Sequence, residues 1–295
     1  MLAILGSMSA EPNAVASALM TKLRQRVDEE LRTFIRGIRV EIAAVAPDAL
    51  LPIDEVGRLI AAGGKRLRPA FCYWGFRAAG GVEGDPIVRV ASGLELLHVM
   101  ALIHDDLMDG SPLRRGVPSS AVHLASEAGR RGSGDPAGAG RSLAILAGDL
   151  AAVLADRLLL SSGFAPDVLL PALDRYHRMR TDMATGQTLD VLGPQGTDRS
   201  LVASLKGGIY TVAGPLAIGA ELAGASPEVQ EILAAYGDPL GTAFQLRDDE
   251  RDGDAPVPPG RVTALATQAQ LALEGAPIEP EARDALAKLA EVVQA

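Results

Sequence analysis

Aromatic residues and cysteine are scarce in this chain of 295 residues. Phe, Trp and Tyr together make up 3% of it, long runs of Lys and Arg are absent, and the net charge is −9. Nucleic-acid-binding domains carry basic patches, often with aromatic side chains on which bases stack, so this composition argues against nucleic acid as a partner. Cys72 is the sole cysteine and cannot form an internal disulfide, which fits a reducing, cytoplasmic location.

The sequence also lacks the alternating pattern of β-strands, and it shows no apolar run of transmembrane length. With 48% apolar residues, we expect a soluble globular protein with no integral membrane segment and a single domain spanning residues 1–295. Residues 1–12 have no basic flank, and their apolar stretch is too short for a signal peptide. We expect this short N-terminal segment to be disordered.

Helical periodicity extends over nearly the whole chain. Apolar residues recur at every fourth position from Leu19 to Leu31, with charges between them, which predicts an amphipathic helix. Ser226 followed by Pro227 is typical of a helix start, and Pro239 is expected to interrupt the helix that follows. The glycine-rich segment 129–140 predicts a mobile loop. The fold class predicted from these patterns is all-α.

Two clusters of aspartates share the same spacing, and each lies at the end of a long helical run. Their members are Asp105, Asp106 and Asp109 in HDDLMD, and Asp248, Asp249 and Asp252 in RDDERD. Because residues i and i+4 share a helical face, carboxylates of each cluster repel one another and require a cation. Oxygen-only ligation together with a phosphorylated substrate indicates Mg2+. The clusters therefore predict two halves of one metal site, facing across a helical bundle.

Basic residues form a second pattern around the first aspartate cluster. Gly63 and Gly64 precede Lys65, Arg66 and Arg68, and the pair Arg114 and Arg115 follows Asp109. Glycine permits close approach of the backbone, while lysine and arginine supply donors suited to phosphate oxygens. This arrangement predicts a cradle for a diphosphate beside the metal site.

Six motifs in one order carry a family resemblance. They are GGKRLRP (63–69), LIHDDLMDGSPLRRGVP (102–118), LAGDLA (146–151), TGQTLD (185–190), KGGIYT (206–211) and AFQLRDD (243–249). Together they resemble the trans-isoprenyl diphosphate synthases, also called polyprenyl synthetases, from about residue 55 to 252. The resemblance implies a single large antiparallel helical bundle around a central apolar cavity. It also implies a homodimer and a requirement for Mg2+, with three ions when substrate is bound.

The activity implied by the resemblance is that of a prenyltransferase. Such an enzyme condenses isopentenyl diphosphate with an allylic diphosphate through Mg2+-assisted ionisation, attack by the isopentenyl double bond and loss of a proton. An apolar pocket protects the allylic cation from water. Short-product members carry bulky aromatics one turn before the first aspartate cluster, where this chain has Met100 and Ala101. We therefore predict geranylgeranyl diphosphate as the main product.

Individual roles follow from matching motif positions. The resemblance assigns metal and diphosphate binding to the two aspartate clusters, with Asp105, Asp106, Asp109, Lys206, Asp248 and Asp249 as the catalytic set. It assigns the allylic diphosphate to Arg114, Lys206 and Gln245, and Gln187 is a further candidate substrate-binding residue. It assigns isopentenyl diphosphate to Lys65, Arg68, His98 and Arg115, and Gly64 is a further candidate substrate-binding residue.

Some positions depart from the family pattern. No lysine occurs between Lys206 and Lys288, so Arg261 is the nearest substitute for the lysine of the closing loop, and Gly207 stands where a threonine is common. These departures favour weak binding of the allylic diphosphate. They keep open a non-catalytic or weakly active partner subunit of a prenyltransferase. A terpene cyclase is a further alternative, although both the second aspartate cluster and GGKRLRP argue against it.

Overall fold

The computed structural model describes residues 10–114, 116–193, 199–252 and 257–294. In these ranges the chain forms twelve α-helices: α1 (Ala10–Val45), α2 (Leu51–Ala61), α3 (Leu67–Ala78), α4 (Asp85–Met108), α5 (Ser120–Arg130), α6 (Pro136–Leu160), α7 (Pro166–Leu192), α8 (Arg199–Ala203), α9 (Gly214–Leu222), α10 (Pro227–Asp252), α11 (Arg261–Ala272) and α12 (Pro280–Gln294). A short 3-10 helix (Pro47–Ala49) and a π-helix (Ser204–Ala213) complete the helical structure. The all-α prediction is confirmed.

Two strands of two residues each form a small hairpin after α4. They are β1 (Leu113–Arg114) and β2 (Val117–Pro118), which pair in antiparallel fashion. The sequence patterns gave no sign of them, because a two-residue strand is too short to alternate. The expectation of disorder for residues 1–9 lies outside the described residues, whereas residues 10–12 belong to α1.

The chain divides into two compact units, each assembled from separate stretches. The first unit comprises Met1–Arg24, Arg66–Ala91 and Gly163–Ala295, and the second comprises Gln25–Lys65 and Ser92–Ser162. The single domain expected from the sequence stays a prediction.

In the first unit, α3 packs against α9 at close range. A Cβ at Gly75 would overlap the backbone of Leu216, and a Cβ at Gly219 would overlap the backbone of Cys72, so glycine is required at both positions. The π-helix packs between α7 and α10, and α11 and α12 cover α10. The buried hydroxyl of Tyr236 donates a hydrogen bond of 2.7 Å to the carbonyl oxygen of Leu286, which joins α10 to α12.

In the second unit, α6 packs against α2 and α5. A buried charge cluster joins the other two helices: both carboxylate oxygens of Glu55 on α2 accept from Arg58, at 2.6 and 2.8 Å, and one lies 2.7 Å from Nδ1 of His123 on α5. The Glu55 side chain is fully buried. Because a buried charge is costly without partners, this cluster fixes α5 relative to α2.

Helix boundaries confirm some sequence predictions and correct others. Gly224 has φ of 68°, and the Ser226 hydroxyl accepts from the Val229 amide at 3.3 Å, so α10 begins as predicted. The loop predicted for 129–140 is wrong over much of its length, because Asp135 caps α6 by accepting from the Gly138 amide. Pro239 lies within the continuous α10, where packing on both sides overrides its helix-breaking tendency.

Two helical stretches among the described residues are long and apolar enough to cross a membrane by length and composition. They are Asp85–Met108 and Leu201–Leu222, with 67% and 50% of the apolar window buried in the protein. The expectation that no apolar run reaches transmembrane length is therefore wrong for these two stretches. Buried core helices of soluble proteins meet the same criterion, so both stretches are weak evidence for a membrane span.

Candidate functional site

The first aspartate cluster lies at the C-terminal end of α4, in the second unit. Asp105 is half-buried, Asp106 is 5% exposed, and Asp109 follows the helix and is exposed. The chain turns directly after the helix, where Gly110 has φ of 61° and the Ser111 amide donates to the carbonyl of Asp106. This turn leads into the β1–β2 hairpin, which begins four residues after Asp109.

The hairpin brings Arg114 back onto the aspartates. Its Nε lies 2.8 and 2.9 Å from the two carboxylate oxygens of Asp106, and its Nη2 lies 3.2 Å from Oδ2 of Asp105. Burial alone would lower the pKa of Arg114, but the hydrogen bonds and charges of Asp106 and Asp105 outweigh burial and raise that pKa. The positive charge of Arg114 is thus held between two carboxylates, whereas the Mg2+ site expected at this cluster stays a prediction.

The second aspartate cluster lies on the last turns of α10, in the first unit. Asp248 and Asp249 are half-buried. Nε2 of Gln245, one turn earlier, donates a hydrogen bond of 2.7 Å to Oδ1 of Asp249. Asp252 is the last residue of α10, and its side chain lies outside the described part of the structure.

Arg247 has a different role from its neighbours. The sequence allows it to neutralise the acidic cluster, but its Nη1 donates to the carbonyl oxygen of Val293 at 2.9 Å. This contact ties the end of α10 to α12. The Arg247 guanidinium therefore contacts α12, although Asp248 and Asp249 follow it directly on α10.

Lys206 belongs to the π-helix, in the same unit as Gln245. Its Nζ lies 2.6 Å from Oδ2 of Asp190 on α7, so the TGQTLD motif orients the lysine of the KGGIYT motif. Gln187 is half-buried on α7. Gly186 allows this approach, because a Cβ there would crowd the backbone nitrogen of Lys206.

Glycines also fit the π-helix against α10. Gly208 and Gly241 face one another so closely that a Cβ on either would press on the backbone of the other. A Cβ at Gly207 would overlap the side-chain amide of Gln245. Single-turn π segments occur frequently at functional sites, and this longer one carries a predicted diphosphate ligand. The close contacts with Gln245 and Gly241 thus explain why two glycines follow Lys206 in this chain.

The basic GGKRLRP segment crosses from one unit to the other. Gly64 and Lys65, in the second unit, are exposed, whereas Arg68, in the first unit, is half-buried. Nη2 of Arg68 donates to Oγ1 of Thr211 at 2.7 Å, and its Cζ lies 4.2 Å from the centroid of the Tyr210 ring. Sequence reasoning missed both partners, although the quoted KGGIYT motif contains them.

The remaining predicted residues lie on or near α4. His98, Met100 and Ala101 are half-buried, with Ala101 one helical turn before Asp105. Arg115 lies outside the described residues. Arg261 is the exposed first residue of α11.

A metal ion at either aspartate cluster would need ligands besides the side chains that the structure describes. Across residues 10–114, 116–193, 199–252 and 257–294, no three His, Cys, Asp or Glu side chains are grouped so that they could hold a metal ion. Mg2+ commonly binds through one or two carboxylates, several waters and substrate phosphates, so pairs such as Asp105 and Asp106 fit it. Arg114 forms ion pairs with both carboxylates.

A groove of about 710 Å3 lies in the first unit, between α7, the π-helix, α9 and α10. Its apolar floor includes Met179, Ile209 and Leu233, and its rim carries the ion pair of Arg175 with Glu221. The predicted site residues do not line it within the described ranges. It is therefore distinct from the surfaces that carry Lys206 and the second aspartate cluster.

Comparison with known proteins gives consistent similarities. The model of the polyprenyl synthetase family matches residues 53–255. The chain is 33% identical over 219 residues to the short chain isoprenyl diphosphate synthase of Methanothermobacter thermautotrophicus, covering 73% of this chain and 62% of that protein. It is 35% identical over 225 residues to the geranylgeranyl diphosphate synthase of Methanosarcina mazei, covering 72% and 64%. The chain thus spans less than two thirds of these curated relatives.

A solved structure is similar over nearly its full length. The geranylgeranyl pyrophosphate synthase of Corynebacterium glutamicum, complexed with isoprenyl diphosphate and magnesium, superposes with a TM-score of 0.82 at 27% identity. The match covers 92% of this chain and 98% of that one.

Proposed function

Because the chain belongs to the polyprenyl synthetase family, we propose that it is a prenyltransferase that condenses isopentenyl diphosphate with an allylic diphosphate. The observation that carries the proposal is the presence of both aspartate clusters on the ends of α4 and α10, each beside a residue suited to diphosphate. Arg114 contacts the first cluster and Gln245 contacts the second. We propose that the two clusters converge on one diphosphate through Mg2+, with three ions when substrate is bound.

The residues of this chain divide the work of the reaction. Mg2+, when bound, neutralises the charge that develops on the departing diphosphate. Arg114, Lys206 and Gln245 hold that diphosphate as the bond between it and the allylic carbon breaks. Lys65 and Arg68 hold isopentenyl diphosphate, with His98 and Arg115, so that its double bond forms the new carbon–carbon bond. Loss of a proton from the resulting cation restores a double bond.

The product length depends on the residues before the first aspartate cluster. Met100 and Ala101 are half-buried on α4 and smaller than an aromatic side chain, so a growing chain could extend past them. The proposed main product is geranylgeranyl diphosphate. The Methanosarcina mazei relative bears the name of that synthase, which supports the proposal.

We propose that the protein is soluble and cytoplasmic and forms a homodimer. One face of α6 supports the dimer: Ile145, Leu146, Val153 and Leu160 are each 55–63% exposed. Apolar faces of this kind favour symmetric self-association, since the same patch serves both copies. Sedimentation velocity should show a dimer for the unchanged chain and a monomer for Val153→Asp. A monomeric unchanged chain would contradict this part of the proposal.

A substrate panel tests the activity. The purified protein is incubated with Mg2+ and dimethylallyl, geranyl or farnesyl diphosphate, with and without isopentenyl diphosphate. Elongated products support the proposal, whereas hydrocarbons or alcohols from the allylic substrate alone indicate a terpene cyclase. Absence of turnover indicates a non-catalytic partner subunit.

Aspartate variants then test the site. Asp105→Ala and Asp248→Ala should each lower kcat by roughly three orders of magnitude, because leaving-group stabilisation is lost. Asp284→Ala is the matched control, since Asp284 is exposed on α12. Near-normal rates in both site variants would overturn the assigned roles.

A further inference from the structure

Arg68 follows a strained turn that fixes its position. Arg66, two residues earlier, is 6% exposed and has φ of 52°, a left-handed conformation that is uncommon outside glycine. Such strain persists only where the surroundings over-determine the backbone. Arg68 itself lies in the first turn of α3, so its backbone is held by the helix on one side and the turn on the other.

The side chain of Arg68 is held by two buried residues of the π-helix. Its Nη2 donates to the hydroxyl of Thr211 at 2.7 Å, and its guanidinium lies over the ring of Tyr210 at 4.2 Å. Thr211 is 0% exposed and Tyr210 is 4% exposed. The guanidinium is therefore restrained both at one edge and on one face.

These restraints leave donors for a ligand. A ring contacts the flat face of a guanidinium, while all five N–H groups point outward in its plane. Within the described part of the chain, Nε of Arg68 is buried and has no hydrogen-bond partner. Since an unpaired buried donor is costly, a phosphate oxygen would relieve that cost.

The same π-helix carries Lys206. Hydrogen bonds of a π-helix join residues i and i+5, so Lys206 and Thr211 are one turn apart along it. Gly208 on this helix fits against Gly241 of α10, which restricts movement of the turn between them. The segment that presents a lysine for one diphosphate thus also supports the arginine assigned to the other.

We propose that Tyr210 and Thr211 are positioning residues for Arg68, which hold its guanidinium in the orientation that binds isopentenyl diphosphate. This inference rests on the proposed function, in which Arg68 binds isopentenyl diphosphate and Lys206 binds the allylic diphosphate. Neither Tyr210 nor Thr211 contacts substrate in this role. Their loss weakens binding of the condensing substrate while leaving capture of the allylic substrate intact.

Paired variants test the inference. Tyr210→Leu removes the aromatic face, and Tyr210→Phe keeps it; Thr211→Val removes the hydroxyl with little change of shape, and Thr211→Ser keeps it. KM is measured for each substrate separately. Tyr210→Leu and Thr211→Val should raise KM for isopentenyl diphosphate about 3- to 30-fold. The allylic KM and kcat should stay within about twofold, and the Phe and Ser variants should resemble the unchanged chain.

A double-mutant cycle shows whether the effect passes through Arg68. In the Arg68→Gln background, Tyr210→Leu should cause no further rise in KM for isopentenyl diphosphate, because the group it positions is gone. A general packing defect would instead add to the effect of Arg68→Gln. Circular dichroism melts identify variants that have lost the fold, and Thr211→Val then carries the test.

The possible outcomes distinguish failure of this inference from failure of the proposed function on which it rests. If the unchanged chain elongates and the variants share its KM values, or if both KM values rise together, the inference is overturned while the proposed function stands. If the unchanged chain neither elongates nor binds isopentenyl diphosphate by calorimetry, the proposed function fails and the inference with it. A selective rise that vanishes without Arg68 supports both.

Discussion

Arg114 donates from Nε to both carboxylate oxygens of Asp106, at 2.8 Å to one and 2.9 Å to the other. Asp106 is 5% exposed, so the pair is largely shielded from water, where charge-assisted hydrogen bonds are strong. The same guanidinium is assigned to the allylic diphosphate, and the same carboxylate to Mg2+. In the proposed mechanism, the diphosphate therefore competes with Asp106 for the guanidinium, and Mg2+ competes with Arg114 for the carboxylate.

Removing this guanidinium should strengthen metal binding by the free enzyme. In Arg114→Gln, Asp105 and Asp106 lose their positive neighbour, so Mg2+ should bind up to about tenfold more tightly, as expected for a charged hydrogen bond of about 1.5 kcal/mol. KM for the allylic diphosphate should rise at the same time. Isothermal calorimetry with Mg2+ alone and steady-state kinetics measure the two effects. Arg131→Gln is the control, since Arg131 is exposed after α5; weaker Mg2+ binding by Arg114→Gln would contradict the prediction.

Adding a side chain at Gly207 should lower both the stability and the activity of this chain. Gly207→Ala should lower the free energy of unfolding by about 1–3 kcal/mol, because the new Cβ overlaps Gln245 and the core there is packed. Displacing Gln245 also breaks its hydrogen bond to Asp249, so activity should fall. Thermal and urea unfolding measure the stability, and the elongation assay measures the activity.

Gly37 supplies the matched control for that substitution. A Cβ at Gly37 meets nothing within 4 Å on α1, so Gly37→Ala should be neutral or stabilising. Stability, but not activity, should return when Gly207→Ala is combined with Gln245→Ala, since the clash is removed. Equal stability of Gly207→Ala and the unchanged chain would show that the two helices are less closely fitted than the structure indicates.

Enlarging the residue before the first aspartate cluster should shorten the product. In Met100→Phe, an aromatic ring would block part of the proposed pocket, so the main product should shift from geranylgeranyl toward farnesyl diphosphate. Product chromatography after incubation with geranyl diphosphate measures the ratio. Met108→Phe is the control, because Met108 is 51% exposed at the end of α4. An unchanged product from Met100→Phe would remove Met100 from the length-determining set.

The buried Glu55 cluster predicts a pH dependence of stability. Burial alone would raise the pKa of Glu55, but the hydrogen bonds from Arg58 and the charges of Arg58 and His123 lower it from 4.5. A lowered folded-state pKa means that Glu55 contributes stability above pH 4.5, and that this contribution is lost as the pH falls through the folded-state pKa.

Glu55→Gln should therefore act mainly at neutral pH. We expect it to lower the free energy of unfolding there by about 1–3 kcal/mol and to flatten the acid limb of the stability curve. Urea unfolding at a series of pH values measures both effects. Glu41→Gln, which breaks an exposed pair with Arg157, should change the curve little. An unchanged acid limb in Glu55→Gln would contradict the assigned pKa shift.

Sequence reasoning gave the helices, both aspartate clusters and the basic segments, because spacing alone fixes which residues share a helical face. It did not give the partners of Arg68 and Lys206, since those contacts join residues far apart in the chain through a π-helix. The predicted break at Pro239 failed for a related reason: local tendency was outweighed by packing of α10 against its neighbours. The sequence shows two glycines after Lys206, but the reason for them, the close approach of α10 to Gly207 and Gly208, is evident only from the structure.

The π-helix makes chain length, as well as residue identity, decisive between Lys206 and Thr211. A residue removed from this segment would rewind it toward an α-helix and rotate one end by about 100° against the other. The lysine and the hydroxyl would then face different directions, even with every remaining side chain preserved. In related chains, we therefore expect single-residue deletions to be excluded from this segment.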